Sequence, residues 1–331
     1  MTFPIEFIGV FFKPQTLIKT LKVRDQPKLY IPSDGSMSRC WDYTRLLPAF
    51  RMAARVNAFV IRLMALLPSR ADTLNQRYDW PLGDYVKDVL PSARTPVVLM
   101  GTSGPEQSVI VQIWDENRII GYVKYGANSI AVELLENEHR ILKILPGGLG
   151  PAPLKYGAFL NGAALVSLPV PGRLIPARLP PPDDLEYFLR QLEGGNFTHI
   201  EDHPYTAKVI RNDSSGELCR YIEPLASRRW PVVLSHGDLA PWNLLRSNDG
   251  QIRAVDWEYA DREGIPFMDT AYFILQVGKL VYRWPPERTR QYAIEYLTRK
   301  LWPGLNPQEA EAIVNLTKHA MDQRSKKIYA L

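Results

Sequence analysis

The sequence predicts an α+β protein in which a small antiparallel sheet precedes a mostly helical region. Short β-rich runs separated by turn residues recur between residues 97 and 168. Helical periodicity dominates from residue 184 onward, and the Pro- and Gly-rich segment 169–172 lies between the two regions. Residues that alternate in polarity are typical of strands, whereas apolar residues three or four positions apart are typical of helices. With 331 residues, the chain can form more than one compact core.

The composition is that of a soluble globular protein, with 46% hydrophobic and 23% charged residues. Cys40 and Cys219 lie far apart and match no metal or redox spacing, so we expect reduced thiols and a cytoplasmic location. No basic leader precedes the first apolar run, and no apolar run is long enough to span a bilayer. We therefore expect a protein that is neither secreted nor membrane-spanning.

Positive charge is concentrated in the N-terminal extension, residues 1–95. This extension holds 14 Lys and Arg against 8 Asp and Glu, whereas the rest of the chain is nearly neutral. Because a nucleic-acid-binding protein usually carries a broad basic surface, we expect no nucleic-acid partner. Any anionic partner should contact the extension.

A helix is predicted within the extension at residues 49–67. Three of its arginines fall within about 40° of one another at helical periodicity, namely Arg51, Arg55 and Arg62. A core helix with one solvated stripe explains this pattern. Alternatively, residues 48–68 form an interfacial helix that makes peripheral contact with an anionic membrane.

The β-rich region has a regular order of elements. Predicted strands at 97–101, 108–114 and 119–124 are followed by a helix at 129–145 and by strands at 154–160 and 163–168. The last two strands flank Asn161-Gly162, a strong hairpin signal. These elements make residues 96–168 a second region.

Residues 169–331 form the third, mostly helical region. Its predicted helices cover 184–192, 215–225, 268–282, 286–301 and 307–328. The last helix has Asn306 as N-cap, Pro307 at the first helical position and Glu309 placed to complete a capping box. One small hairpin, 244–246 with 252–255, interrupts the helices around Asn248-Asp249-Gly250.

The motif richest in chemistry surrounds that hairpin. Asn243 follows Asp238 by five residues, and Asp256 follows Asn243 by thirteen. Phosphoryl transfer uses one carboxylate to orient a hydroxyl, and an amide and a further carboxylate to hold Mg²⁺ on nucleotide phosphates. The hairpin places Asn243 just before its first strand and Asp256 just after its second, so both can face one metal. The alternative is that Asp238 and Asn243 only cap turns.

Two segments carry a family resemblance. His236-Gly237-Asp238 and Asp256-Trp257-Glu258-Tyr259-Ala260, following a β-rich region, resemble the aminoglycoside phosphotransferase and choline kinase branch of the protein-kinase-like fold. The resemblance covers about residue 95 to the C-terminus and implies two lobes. It makes Asp238 the catalytic base, Asn243 and Asp256 the Mg²⁺ ligands, and ATP or GTP the phosphoryl donor. His236 is then an internal scaffold of the catalytic loop.

The resemblance also implies nucleotide-binding residues in the β-rich region. Lys124 stands where a kinase places the lysine that contacts phosphates, and Glu138 or Glu136 is its ion-pair partner. The turn holding Gly101 and Gly104 would cover the phosphates, or is simply a turn. The segment Ser167-Leu168-Pro169-Val170 would act as a hinge. Its backbone groups would contact the adenine or guanine ring of the nucleotide, at Ser167, Leu168 and Val170.

Other residues near the motif have two interpretations each. Asp269 either braces the catalytic loop or serves as a helix N-cap. Aromatic and acidic residues beside the metal ligands either bind the acceptor, with an ammonium cage as one form, or belong to the core. These residues are Trp242, Trp257, Glu258 and Tyr259.

We therefore predict a small-molecule kinase whose acceptor is a hydroxyl of a sugar, an amino alcohol or an aminoglycoside-like compound. A kinase specific for choline or ethanolamine, and a nucleotide-binding scaffold without turnover, are alternatives. A protein kinase is a further alternative, disfavoured because the chain lacks an Asp-Phe-Gly metal motif and a long activation segment.

Overall fold

The computed structural model describes residues 5–23, 26–33, 37–44, 59, 61–66, 72–73, 80–101, 103–211, 217–300 and 304–329. Two compact units emerge from the contacts within the chain. The first comprises Met1–His139 and Pro151–Pro169, and the second Arg140–Gly150 and Val170–Leu331. The first unit is built on an antiparallel sheet and the second is mostly helical, so the predicted α+β fold class is confirmed.

An eight-stranded antiparallel sheet organises the described part of the first unit. Its strands are β1 Leu17–Val23, β2 Gln26–Pro32, β3 Asp72–Thr73, β4 Thr95–Met100, β5 Ser108–Trp114, β6 Ile119–Gly126, β7 Pro153–Phe159 and β8 Gly162–Ser167. Their spatial order is β3-β1-β2-β4-β5-β6-β8-β7. The predicted strands of residues 97–168 therefore all form, close to their expected bounds.

The helices of this unit include α1 Ile5–Gly9, α2 Met37–Tyr43, α3 Pro81–Val86 and, up to His139, α4 Ser129–Ile144. The predicted helix at 129–145 is α4. Asn128 stabilises its first turn, because the Oδ1 atom accepts a hydrogen bond from the amide of Ala131 at 3.0 Å. Its apolar face buries Leu135, Ile141 and Leu142.

The hairpin between β7 and β8 turns one residue earlier than the Asn-Gly signal suggests. Phe159 pairs with Gly162, so Leu160 and Asn161 form the loop and Gly162 lies within the strand. A Cβ atom at Gly162 would lie 2.0 Å from the carbonyl oxygen of Gly126. The glycine is therefore required by close backbone approach and not by the turn.

Part of the N-terminal extension forms sheet, which the sequence reading did not anticipate. Strands β1 and β2 pair with each other, and Leu29 of β2 pairs with Leu99 of β4. Ile18, Leu29 and Ile31 are fully buried. The extension thus supplies strands and core residues to the sheet of the first unit.

Most of the predicted helix at 49–67 lies outside the described residues, including Arg51 and Arg55. Residues 61–66 are helical, and the Arg62 guanidinium lies 5.6 Å from the ring centroid of Trp41. Membrane contact through residues 48–68 stays a prediction. Among the helices of the described residues, none combines the length and apolar character needed to cross a bilayer.

The helices of the second unit are α5 Asp184–Arg190, α6 Pro204–Arg211, α7 Glu217–Ile222, α8 Met268–Val277, α9 Pro286–Lys300 and α10 Pro307–Tyr329. Short 3₁₀ segments occur at Ile200–Asp202, Glu223–Ser227 and Pro241–Asn243, and a π-helical turn, Gly278–Tyr282, follows α8. Each predicted helix is present, although α6 was not predicted.

The predicted capping box at the start of α10 is present. Asn306 Oδ1 accepts from the amide of Glu309, and a carboxylate oxygen of Glu309 accepts from the amide of Asn306, both at 2.9 Å. The same carboxylate accepts hydrogen bonds from Ser227 and Arg228. The start of α10 is therefore joined to the segment that follows α7.

Short strands of the second unit position the motif residues. They are β9 Arg173–Leu174, β10 Glu193–His199, β11 Arg229–Ser235, β12 Leu244–Arg246, β13 Ile252–Ala254 and β14 Asp261–Gly264. Strand β11 ends immediately before His236, and the predicted hairpin forms as β12 and β13. Asn243 directly precedes β12, and Asp256 follows β13 by two residues.

Candidate active site

The predicted site residues fall in two units. The catalytic loop of the second unit begins after β11 with His236. Gly237 has φ of 75°, and a Cβ atom there would lie 2.3 Å from the carbonyl oxygen of Tyr259. Both the left-handed backbone and this close approach require glycine. The loop can therefore pass directly beside the segment that carries Tyr259.

Asp269 holds the start of the catalytic loop. Its Oδ2 atom accepts from the amide of His236 at 2.7 Å and its Oδ1 atom from the amide of Gly237 at 2.9 Å. Asp269 is buried, and this burial raises the pKa of its carboxyl group. The N-cap position of α8 is Phe267, so Asp269 lies in the first turn of the helix and contacts the loop.

His236 lies inside the loop with no exposed surface. Its Nδ1 atom accepts from the amide of Asp238 at 3.3 Å, so Nε2 carries the proton and donates to Val255 O at 3.0 Å. Burial lowers the pKa of this imidazole, which favours the neutral form that this pattern requires. Both ring nitrogens are thus engaged in positioning the backbone.

Asp238 presents a carboxylate whose two oxygens are both oriented by neighbours. Tyr272 and Arg324 donate to Oδ1, and Asn243 Nδ2 donates to Oδ2 at 3.0 Å. Burial raises the pKa of Asp238 to about 6, while Arg324 and the Tyr272 hydroxyl oppose that increase. The group is therefore ionised near neutral pH and poised close to the range where general bases work.

Arg324 and Tyr272 were not identified from the sequence. Tyr272 follows Asp269 by three residues on α8, so both lie on one face of that helix, a spacing that could have revealed it. Arg324 comes from α10, 86 residues after Asp238. No local pattern marks it, because only the tertiary fold brings it to the loop.

Val255, which directly precedes Asp256, links the two predicted metal ligands Asn243 and Asp256. Val255 donates from its amide to the backbone oxygen of Asn243 at 2.9 Å and accepts from His236. Asn243 uses Nδ2 toward Asp238, and among the described residues no donor contacts its Oδ1 atom. Amide and carboxylate oxygens are the donors that Mg²⁺ prefers, so this pair fits that ion.

Asp256 has a backbone conformation that is uncommon for a residue with a side chain. Its φ is 69°, in the left-handed region. Asp adopts this conformation more readily than most residues, although it costs about 1 kcal/mol. Strained residues of this kind occur often at functional sites, which agrees with the ligand role predicted for Asp256.

The four residues suggested for the acceptor differ in burial. Trp257 is fully buried, donates to Ala254 O at 3.0 Å and packs 4.6 Å from the ring of His236. It therefore supports the loop from inside, and the core interpretation applies to it. Trp242, Glu258 and Tyr259 are partly exposed. The ring of Tyr259 lies under the Arg324 guanidinium, 3.7 Å from the centroid.

In the first unit, Lys124 and Glu138 form an ion pair. Lys124 Nζ lies 3.0 Å from Glu138 Oε2, and the side chains are 14% and 6% exposed. Lys124 lies on β6, and Glu138 on α4. The ion-pair partner is therefore Glu138, which resolves the choice between Glu138 and Glu136.

The remaining nucleotide-binding candidates lie in loops. Gly101 donates to Ser108 O at 2.8 Å, and Gly104 lies in the turn between β4 and β5. The amide of Leu168 donates to Ala152 O at 2.9 Å, so this amide is already engaged. The predicted contact of this segment with adenine would therefore have to use other backbone groups. Ser167 ends β8, and Val170 belongs to the second unit. Phosphate and base binding by these residues stay predictions.

The model of the Phosphotransferase enzyme family matches residues 162–311, which include the catalytic loop, Asn243, Asp256 and Asp269. Among curated proteins, none matches this chain in sequence.

Several solved structures show distant similarity. An aminoglycoside phosphotransferase from Streptomyces rimosus, solved with ADP and streptomycin, is 14% identical with a TM-score of 0.44, covering 72% of this chain and 98% of that one. An aminoglycoside-3'-phosphotransferase of type VIII is 19% identical with a TM-score of 0.42, covering 72% and 99%. Choline kinase LicA from Streptococcus pneumoniae is 15% identical with a TM-score of 0.40, covering 74% and 90%.

The family match coincides with the residues that carry the resemblance in the sequence. Asp238, Asn243 and Asp256 lie inside the matched segment in the order that phosphoryl transfer requires. Over residues 162–311 the chain thus matches the model of the phosphotransferase enzyme family, in agreement with the resemblance carried by its sequence motifs.

Proposed function

We propose that this protein transfers the γ-phosphoryl group of Mg²⁺-bound ATP or GTP to a hydroxyl group of a small molecule. The observation that carries the proposal is the fixed carboxylate of Asp238. Tyr272 and Asn243 orient its two oxygens, and Asp269 holds the loop from which it projects. A preorganised carboxylate beside oxygen donors for a divalent cation is the arrangement that phosphoryl transfer uses.

Asp238 accepts the proton of the acceptor hydroxyl as the oxygen attacks the γ-phosphorus. The bond between the γ-phosphorus and the β–γ bridging oxygen breaks, and a new bond joins the γ-phosphorus to the acceptor oxygen. The products are a phosphomonoester and a nucleoside diphosphate, and the proton leaves from Asp238 to solvent. This step needs Asp238 ionised, which its pKa of about 6 permits near neutral pH.

Asn243 and Asp256 supply the oxygen ligands for the metal. Mg²⁺ bound by these two side chains would neutralise charge on the nucleotide phosphates and on the group being transferred. Lys124, held by Glu138 at 3.0 Å, is the residue that the family resemblance assigns to the nucleotide phosphates.

The test measures nucleotide binding and turnover separately. Mg²⁺-ATP should raise the melting temperature of the wild-type protein, and Asp256→Ala should abolish most of that shift. Asp238→Asn should keep the shift but lower transfer to acceptors at least 100-fold. Asp322→Asn, which changes an exposed residue of α10 paired with Lys318, is the matched control.

Two results would contradict the proposal. If Asp256→Ala leaves the Mg²⁺-ATP shift intact, the metal assignment is wrong. If Asp238→Asn turns over at the wild-type rate with any acceptor, the base assignment is wrong. A protein that binds Mg²⁺-ATP but transfers phosphate to no member of a panel of sugars, amino alcohols and aminoglycosides would instead be the scaffold considered above.

A further inference from the structure

Arg324 contacts the catalytic loop at the point where an acceptor hydroxyl must bind. Its Nη1 atom lies 3.4 Å from Asp238 Oδ1, and its Nη2 atom donates to the backbone oxygen of Gly237 at 2.6 Å. Its guanidinium lies 3.7 Å from the ring centroid of Tyr259 and 5.9 Å from that of Tyr272. Helix α10 thus places a permanent positive charge beside the proposed base.

We propose that Arg324 determines acceptor specificity, so that this protein phosphorylates uncharged or anionic alcohols and rejects cationic ones. The inference rests on the proposed function, because it concerns the acceptor of that reaction. Among the acceptors that the sequence left open, it favours sugars over the cationic amino alcohols and aminoglycoside-like compounds.

The first argument concerns the aromatic surface. A quaternary ammonium group binds to proteins mainly over aromatic faces, by cation–π attraction. Tyr259 is a partly exposed aromatic residue beside the metal ligands, and its face is already covered by the Arg324 guanidinium. Trp257 is fully buried and offers no face to a ligand. The cage expected for an ammonium group is therefore filled, in part, by the protein's own cation.

The second argument concerns charge. An acceptor hydroxyl that gives its proton to Asp238 must lie about 2.6–3.2 Å from a carboxylate oxygen. One of these oxygens lies 3.4 Å from Arg324 Nη1. An alcohol whose cationic group is only two carbons from its hydroxyl would bring that charge close to the guanidinium. Like charges in a partly desolvated site repel, which weakens binding of such an acceptor.

The third argument concerns unused donors. A guanidinium has five N–H donors, and the two bonds to Asp238 and Gly237 use one on each terminal nitrogen. Among the described residues, no acceptor engages the other three. The side chain is 24% exposed, so a ligand can reach it. Carboxylates and phosphates match this donor geometry, which makes an anionic alcohol the best fit.

The experiment compares three small alcohols of different charge: D-glycerate, glycerol and choline. Dissociation constants come from quenching of tryptophan fluorescence in the presence of Mg²⁺ and a non-hydrolysable ATP analogue, and kcat and KM from phosphoryl transfer with ATP. The variants are Arg324→Ala, the more conservative Arg324→Gln, and Arg324→Lys. Lys318→Ala, which removes an exposed positive charge from the same helix, is the control.

The wild-type protein should bind D-glycerate more tightly than choline. Arg324→Ala and Arg324→Gln should shift the ratio of the two dissociation constants at least tenfold toward choline, with the change in KM exceeding that in kcat. Arg324→Lys should keep most of the preference, and Lys318→Ala all of it. Adding Tyr259→Leu to Arg324→Ala should remove the gain in choline binding, because the exposed ring is then absent.

If folded Arg324→Gln keeps the wild-type ratio of the dissociation constants of D-glycerate and choline, the inference is overturned. The inference is also overturned if none of the three alcohols gives a binding response. Tighter wild-type binding of choline than of D-glycerate overturns it as well. Circular dichroism identifies variants that fail to fold, and Arg324→Gln replaces Arg324→Ala in that case. The binding comparison is separate from turnover, so failure of phosphoryl transfer counts against the proposed function and the binding ratio alone decides the role of Arg324.

Discussion

Asp269 binds the backbone amide of His236 through Oδ2 at 2.7 Å, and this contact joins α8 to the catalytic loop. The second oxygen of the same carboxylate binds the amide of Gly237. Two backbone donors of the loop thus share one buried acceptor group from a distant part of the sequence. The position of Asp238 depends on it, because Asp238 follows these two residues directly.

Asp269→Asn should destabilise the protein and lower turnover together. The amide nitrogen of Asn cannot accept a hydrogen bond, so one backbone donor of the loop loses its partner, at a cost of roughly 1–3 kcal/mol. Urea unfolding measures this change, and initial rates should fall at least tenfold because the loop shifts. Asp322→Asn, at an exposed ion pair, is the control and should alter neither quantity. Equal behaviour of the two variants would show that Asp269 does not brace the loop.

Gly237→Ala should cost more stability than Gly250→Ala. Both glycines have left-handed φ, of 75° and 82°, so each substitution carries about 1 kcal/mol of backbone strain. An added Cβ meets the Tyr259 carbonyl oxygen at 2.3 Å for Gly237, but nothing within 4 Å for Gly250. The difference between the two free energies of unfolding therefore measures the close approach of the loop to Tyr259. A difference near zero would mean that the loop can move away from Tyr259 without loss of stability.

Asp256→Gly should be more stable than Asp256→Ala, although both should lose Mg²⁺-ATP binding. Glycine removes the left-handed strain at φ of 69°, whereas alanine keeps it, a difference of about 1 kcal/mol. Thermal unfolding without nucleotide measures the strain, and the shift with Mg²⁺-ATP measures ligand binding. A residue kept only for its backbone conformation would give an active glycine variant, which is the outcome that contradicts the metal assignment.

Periodicity predicted most elements of this fold because each element turns one face toward the apolar core of its own unit. The strands from 97 to 168, α4 and the capping box of α10 follow from local patterns, and they are present close to the predicted bounds. The turn of the β7–β8 hairpin was misplaced by one residue because Gly162 is required by contact with Gly126, a tertiary reason. Strands β1 and β2 were missed although they pair with each other locally, and the pairing of Leu29 with Leu99 that joins them to the sheet links distant parts of the chain.

In the candidate site, too, local motifs could be predicted from the sequence and tertiary contacts could not. Asp238, Asn243 and Asp256 were identified because a short hairpin links them within one motif. Arg324 reaches Asp238 from 86 residues away, so no spacing in the sequence could reveal it. Trp257 is an aromatic residue next to a predicted metal ligand, which is typical of ligand-binding residues. Its indole N–H nevertheless donates to Ala254 O inside the core. Burial, which decides between those roles, depends on the whole fold.

The ion pair of Lys124 and Glu138 should have separable effects on stability and on nucleotide binding. Its side chains are 14% and 6% exposed, so Lys124→Met leaves a nearly buried carboxylate without this partner and should destabilise the protein by roughly 3 kcal/mol. The double variant Lys124→Met with Glu138→Leu removes both charges and should recover part of that loss. Binding of Mg²⁺-ATP should not recover, because the proposed contact to the phosphates needs Lys124 itself.

Urea unfolding and calorimetric titration with Mg²⁺ and a non-hydrolysable ATP analogue measure the two effects on the same samples. Asp88→Asn is the control, since Asp88 pairs with Lys155 at the same 3.0 Å distance but is 58% exposed, and exposed pairs contribute little to stability. If the double variant binds the analogue as tightly as wild type, Lys124 does not contact the phosphates and the pair only stabilises the packing of α4 on the sheet. If the double variant regains stability while it binds the analogue at least tenfold more weakly than wild type, the buried charge of Lys124 serves nucleotide binding and not stability.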